Sequence, residues 1–135
     1  MAHKTTLKID GTPYNVLECM YEFVQPVKGN GQPSARPEGG LIHFKIVSLD
    51  DNDMCFHKWM LNKTELKDGV FEIDVMENGK ISHKTISFEN AYCIRLKEYL
   101  KNEENAQMCM EITISAAEIS FGKSNKVTFK NDGKL

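Results

Sequence analysis

Four histidines, four cysteines and one acidic run are the side chains with most chemistry to offer. His3, His43, His57 and His83 could ligate a metal or move a proton near neutral pH. None has a carboxylate or cysteine at the spacing of a metal or nucleophile motif, so each is read as a surface or half-buried structural histidine. Cys19, Cys55, Cys93 and Cys109 lie far apart, with no Cys-x-x-Cys pair, and each sits in an apolar or alternating segment. Zinc wants tighter ligand spacing. The expectation is free thiols serving as small hydrophobes in a reducing compartment. The run Asp50-Asp51-Asn52-Asp53 has the acidity of a calcium loop but lacks its glycine and distal glutamate. Gly39-Gly40 does not precede a helix and is no phosphate loop. Met108 and Met110 alternate on a strand, which suits a core. No residue is assigned a catalytic, metal-binding or cofactor-binding role, and the chain is not read as an enzyme.

Length and composition narrow the class. The 135 residues are enough for one domain with a real core, spanning 1–135. A 41% apolar and 27% charged composition is that of an ordinary globular protein. A net charge of −2 gives no basic field for nucleic acid, so none is expected as a partner. The opening residues Met1 to Thr6 carry no apolar run of signal-peptide type, and no run approaches the ~20 residues of a membrane span. Folding in the cytoplasm without membrane insertion is expected.

The elements that must position these side chains are mostly strands. Thr6 to Ile9 alternates into Asp10-Gly11, a hairpin turn, and a return strand runs from Tyr14 to Phe23. Tyr14 and Val16 favour one face, Leu17, Cys19, Tyr21 and Phe23 the other. Such a phase change predicts a bulge near Val16-Leu17 or a strand crossing between sheets. Leu41 to Ser48 turns Ile42, Phe44 and Ile46 one way. A helix over about residues 51–62 is expected, with Asp50 as its cap and Cys55, Phe56, Trp59 and Met60 as an apolar stripe. It is short, so packing of Trp59 must anchor it.

Further on, Phe71, Ile73 and Val75 alternate before Asn78-Gly79, the strongest hairpin signal in the chain. The partner strand, Lys80 to Phe88, shifts phase between His83 and Ile86, a second bulge candidate. A separate strand from Asn90 places Tyr92, Ile94 and Leu96 on one face. After a charged loop over Lys101 to Gln107, Met108, Met110, Ile112 and Ile114 are expected inward on a strand continuing to Phe121. A short edge strand at Val127 to Phe129 and a flexible tail over 130–135 complete the chain. The fold class is mainly β: an antiparallel β-barrel of two curved sheets with one short flanking helix.

One stretch resists these assignments. Residues 25–40 hold three prolines and four glycines, which exclude helix and a paired central strand. With almost no apolar side chains to bury, such a loop draws its order from outside its own domain. It is the first candidate for a contact surface.

Taken together, these pieces resemble the tube protein of type VI secretion (the haemolysin-coregulated protein, TssD), in the branch found in Bacteroidetes. The resemblance rests on Leu7-Lys8-Ile9 with Asp10-Gly11, then Tyr14, Val16 to Cys19 and Tyr21. Gly31-Gln32-Pro33-Ser34 follows, then Gly39-Gly40 and Leu41 to Val47. Asp50-Asp51, Trp59-Met60, Gly69, Phe88 to Tyr92 and Met110 with Ile112 to Ala116 complete it. Gln32 stands where the family's Gly-Arg-Pro-Ser version has arginine.

The resemblance implies a non-enzymatic subunit without cofactors that forms homo-hexameric rings. Rings stack into a tube inside a contractile sheath, and the tube is ejected with a tip spike, with small effectors in its lumen. It also implies assembly in the cytoplasm and export without a signal peptide. In the loop it points to Lys28, Gly29, Asn30, Gly31, Gln32, Pro33, Ser34, Arg36, Gly39 and Gly40 as intersubunit or ring-stacking candidates. Two alternatives remain: a small-ligand barrel with a pocket lined by Phe44, Tyr92, Ile94 and Met110, and a divergent tube-protein paralogue with an accessory role.

Overall fold

A computed structural model describes residues 3–33, 38–100 and 108–131. Seven strands and one helix follow in the order β1 (His3–Ile9), β2 (Thr12–Tyr21), β3 (Leu41–Val47), α1 (Cys55–Leu61), β4 (Lys67–Glu77), β5 (Lys80–Leu100), β6 (Met108–Phe121) and β7 (Val127–Lys130). All pair antiparallel in the order β3-β2-β1-β4-β5-β6-β7, and β3 also pairs with β6. That last pairing rolls the sheet into a closed ring. Strand β6 is the keystone, with β5 along one side. Its other side takes β3 from Cys109 to Ser115, then β7 from Glu118 to Phe121.

Both hairpins form where the turn chemistry puts them. Asp10 and Gly11 have φ of 52° and 79°, Asn78 and Gly79 of 51° and 75°. Two successive positive φ angles make the turn whose twist matches paired strands. The bulge in β2 is present as well: its register against β3 shifts between Val16 and Glu18. The extra residue, Leu17, is left outside, so Tyr14, Val16, Cys19 and Tyr21 all reach the interior side.

Strand β2 therefore has two parts. Thr12 to Asn15 pairs with β1, and Val16 to Tyr21 pairs with β3. Strand β5 behaves alike: its pairing with β4 stops at Ala91, while pairing with β6 continues to Leu100. The ring is thus two curved layers that share β2 and β5 at opposite corners.

Several expectations are corrected. Lys80 to Leu100 is one strand rather than two, because Asn90 adopts a left-handed φ of 51° and donates its N–H to Asp68 Oδ1 at 2.8 Å, carrying the chain through. With this residue and a second shift at Cys93/Arg95, Ala91 and Cys93 point inward. Tyr92 and Ile94 are consequently exposed, not inward. No bulge occurs between His83 and Ile86, where pairing with β4 is regular. That end of the hairpin has both faces in solvent, so polarity carried no phase information. Met108 is 45% exposed at the rim. Lys130 belongs to β7, and Asn131 donates its N–H to Ala117 O at 2.8 Å. The remainder of the expected tail, 132–135, and the charged loop over 101–107 lie outside the described residues.

The helix begins at Cys55, later than expected, and Asp50 does not cap it. Asp50 Oδ1 instead accepts the Asn52 N–H at 2.9 Å, making a turn of its own. Asp53 Oδ1 accepts the Cys55 N–H at 3.1 Å, and Tyr14 O–H donates to Asp53 Oδ2 at 3.1 Å. A short acidic side chain satisfying nearby amides competes with helix continuation. From there α1 turns Phe56 and Trp59 fully into the core.

The interior is packed with aromatic and aliphatic side chains. Tyr14, Phe44, Phe56, Phe71, Phe88 and Trp59 make a chain of ring contacts between 5.0 and 6.3 Å. Ile42, Ile46, Met110, Ile112 and Ile114 fill the rest. Trp59 Nε1 donates to Glu65 O at 3.2 Å and to Ala91 O at 3.1 Å. It thereby satisfies the carbonyl where β4 leaves β5. Burial pushes the Cys19 and Cys93 thiols up to about 11, so both stay protonated in the core.

Candidate functional site

The residues that could do chemistry are engaged with one another. His43 Nδ1 lies 2.8 Å from Thr113 Oγ1, a half-buried cross-strand pair. His83 Nδ1 meets Asp74 Oδ1 at 2.5 Å, again directly across a ladder. His57 Nε2 is 3.5 Å from Glu98 Oε1, whose other oxygen accepts Ser48 O–H at 2.6 Å. This last trio joins α1, β5 and the end of β3. It is not a nucleophile triad, because the serine faces the carboxylate and not the imidazole.

Beside α1 lies a cleft of about 450 Å³, with Asp10, Tyr14, Asp53, Cys55, Lys58, Glu65 and Lys67 among its walls. Its charges pair internally: Lys67 Nζ is 2.9 Å from Asp10 Oδ2 and 3.4 Å from Glu65 Oε2. The Asp10 hydrogen bond holds the Lys67 ammonium above its ordinary value, whereas burial raises Tyr14 and Cys55. Raised thiol and phenol groups are poor nucleophiles. Among the described residues no cluster of His, Cys, Asp or Glu could hold a metal ion.

The internal pocket expected for a ligand-binding barrel is contradicted. Phe44 and Met110 are packed core, while Tyr92 and Ile94 sit on the outside. These four line no common cavity.

The long loop is the distinctive exposed feature. Rather than being wholly irregular it is an arm doubled back on itself, bridged at Val24–Glu38 and again at Val27–Pro33. Val24 N–H donates to Glu38 O at 3.0 Å, and Glu38 N–H returns to Val24 O at 2.7 Å. The tip turns over Lys28 to Gln32. Gly31 N–H donates to Lys28 O, Lys28 N–H to Gln32 O, and Gln32 N–H to Asn30 Oδ1, at 2.9, 2.7 and 3.0 Å. Lys28, Gly29, Asn30, Gly31, Gln32 and Pro33 are all exposed there. Ser34 and Arg36 lie outside the described residues. Gly39 and Gly40 stand apart from the tip, at the base.

That base is clamped by residues whose role sequence reading missed. Phe23 contacts Phe129 and Phe121 at centroid distances of 4.9 and 5.8 Å, and Tyr21 contacts Phe121 at 5.0 Å. Phe23 lies flush on Gly39, where any Cβ would overlap its ring. Gly40 has a φ of +98°, and a Cβ there would come within 2.8 Å of Asn131 Nδ2 and 3.1 Å of Ala116 O. Only glycine holds that backbone without strain. The signal available was the aromatic content of β7, a strand too short to carry a phase. Phe129→Ala is expected to speed amide hydrogen exchange in residues 22–33 by about tenfold or more, with β3 and β6 unaffected. An arm that exchanges at the wild-type rate would show that β7 does not hold it.

A closed antiparallel ring around an aromatic core, with one short helix and a long arm, is the fold this chain shares with solved Hcp structures. The fold matches Hcp1 from Flavobacterium johnsoniae with a TM-score of 0.78 at 28% identity, covering 95% of this chain and 99% of that one. It also matches Hcp1 from Salmonella typhimurium (TM-score 0.75, 10% identity, 98% and 97% covered) and Hcp3 from Pseudomonas aeruginosa (0.71, 11%, 96% and 98%). These last two show the fold alone. The chain belongs to the Hemolysin coregulated protein Hcp (TssD) family, whose model matches residues 1–132. No curated protein matches it.

Proposed function

We propose that this chain is the structural subunit of a type VI secretion inner tube. It forms homo-hexameric rings that stack inside a contractile sheath, and the tube leaves the cell with its tip spike. Small effectors travel in the lumen. Subunits assemble in the cytoplasm and leave through the apparatus; no helix among the described residues is long and apolar enough to cross a membrane. The chain acts by assembly, not by catalysis, and needs no cofactor. Membership of the tube-protein family over residues 1–132 carries this reading. The filled interior favours it over a ligand-carrying barrel, because a shell protein gains rigidity from a packed core. Within the rings, the arm from Lys28 to Pro33, continuing through Ser34 and Arg36, reaches a neighbouring subunit or the next ring. Gly39-Gly40 is its joint to the body.

Light scattering after size exclusion, with negative-stain imaging, tests the proposal. The expected species has six times the 15.4 kDa subunit mass and a central hole. A strictly monomeric chain at high concentration would overturn it.

A further inference from the structure

Strand β7 ends the sheet on an open side. It pairs with β6 alone, and no described residue gives its other side a backbone hydrogen bond. Which groups that side offers follows from the ladder. Asn131 donates its N–H to Ala117 O at 2.8 Å, and bonded and non-bonded positions alternate along an antiparallel pair. Val127 and Phe129 therefore bond toward β6, while Thr128 and Lys130 turn their N–H and C=O outward. An open edge of this kind is a template for an added strand.

The two faces of this edge differ in chemistry, because side chains alternate along a strand. Val127 and Phe129 share one face, where Phe129 packs against Phe23 at 4.9 Å and Val127 stays 65% exposed. Thr128 and Lys130 share the other, where Thr128 Oγ1 is 3.1 Å from Ser120 Oγ. Lys123 and Lys126 precede the strand, and all three lysines are exposed. Residues 122–130 contain no aspartate or glutamate, although the whole chain carries a net charge of −2. Lysine on an edge guards it against pairing with its own kind. A second copy paired antiparallel about Thr128 would set Lys126 against Lys130 at both ends. An acidic strand meets the same two residues as partners.

We propose that the open edge of β7 takes up an extended acidic segment of another protein. The segment adds as an antiparallel strand, with carboxylates on the face of Thr128 and Lys130 and apolar side chains over Val127. Main-chain bonds at Thr128 and Lys130 hold it, and the lysines select it. On the apolar face the guest strand continues the cluster of Phe23, Phe121 and Phe129. The ladder is short, four residues of β7, so charge carries much of the binding and salt weakens it. The proposal goes beyond the tube reading and does not rest on it, because the edge is open in a single chain.

The probe is a fluorescent peptide of about eight residues alternating glutamate and valine, long enough to span the edge. Titrated with the full chain and read by anisotropy, it is expected to bind saturably, and its lysine–valine counterpart is expected not to bind. N-methylating its glutamates keeps the charge but removes the amides that face Thr128 and Lys130. That change is expected to weaken binding about tenfold or more. Lys126→Glu combined with Lys130→Glu in the protein is expected to weaken it by about the same factor. Both lysines are exposed, and thermal unfolding checks that the variant folds. Equal affinity for the N-methylated probe would reduce the contact to charge alone and overturn the added strand. A probe that fails to bind, or that binds the double variant as tightly as wild type, would overturn the proposal outright. None of these readouts depends on ring formation, so their failure leaves the tube reading standing.

Discussion

Trp59→Ala is expected to be the most damaging single change in the body of the protein. The indole is fully buried, packs on Phe56 and donates to both Glu65 O and Ala91 O. Truncating a buried aromatic costs about 3–5 kcal/mol, and leaving the Ala91 carbonyl unpaired adds roughly 1 kcal/mol or more. Against a total stability of about 5–15 kcal/mol, that loss leaves a marginal fold. Trp59→Phe keeps most of the volume and removes only the donor, so the gap between the two variants separates packing from hydrogen bonding. Urea denaturation followed by far-ultraviolet circular dichroism measures both. A loss below about 1 kcal/mol for the alanine variant would mean that the helix is not what closes this end of the core.

Replacing Gln32, Pro33 and Ser34 with glycine is expected to have the opposite signature. Gln32 and Pro33 are exposed, and the tip is shaped by main-chain bonds and by Asn30, which the change leaves in place. Monomer stability should move by no more than about 0.5 kcal/mol, as for other surface changes. Assembly should weaken by tenfold or more, because the loosened tip must be ordered again at each contact at a cost of about 1 kcal/mol per residue. Sedimentation velocity across a concentration series reads this directly. An unchanged ring and stack population would remove the arm from the assembly and return it to a solvent-facing ornament of the fold.

The contrast between these changes mirrors what was legible in the sequence. Turn chemistry was fully readable, because Asp10-Gly11 and Asn78-Gly79 encode their backbone angles locally. The β2 bulge was readable because apolar side chains change phase at Leu17, and one inserted residue does that in a strand with a single wet face. Strand β5 was misread for the reason that makes it interesting. Its small residues, Ala91 and Cys93, point inward and its large ones, Tyr92 and Ile94, outward. Hydrophobic patterning assumes that the outer face meets water, so a strand holding apolar bulk outside is assigned backwards. The clamp under the arm depends on Phe23, Phe121 and Phe129, residues 106 positions apart at the extremes (129 − 23). No local pattern joins them. The helix start was missed because four acidic or amide residues in succession offer several competing turns, and the choice is made by Tyr14 binding Asp53.

The position of β6 in the ring has a consequence for the timing of synthesis. The strand that completes the circle is made after the other five strands of the ring, and its partner β3 waits from Leu41 for the arrival of Ser115. Until then a nascent chain holds an unclosed curl with bare strand borders, the state from which β proteins most readily stick to each other. The polar residues spaced along β3 and β6, Lys45 and Glu111 among them, keep those borders wet during the wait. The ring of strands closes only when β6 is available to β3, so closure waits on Cys109 to Ser115.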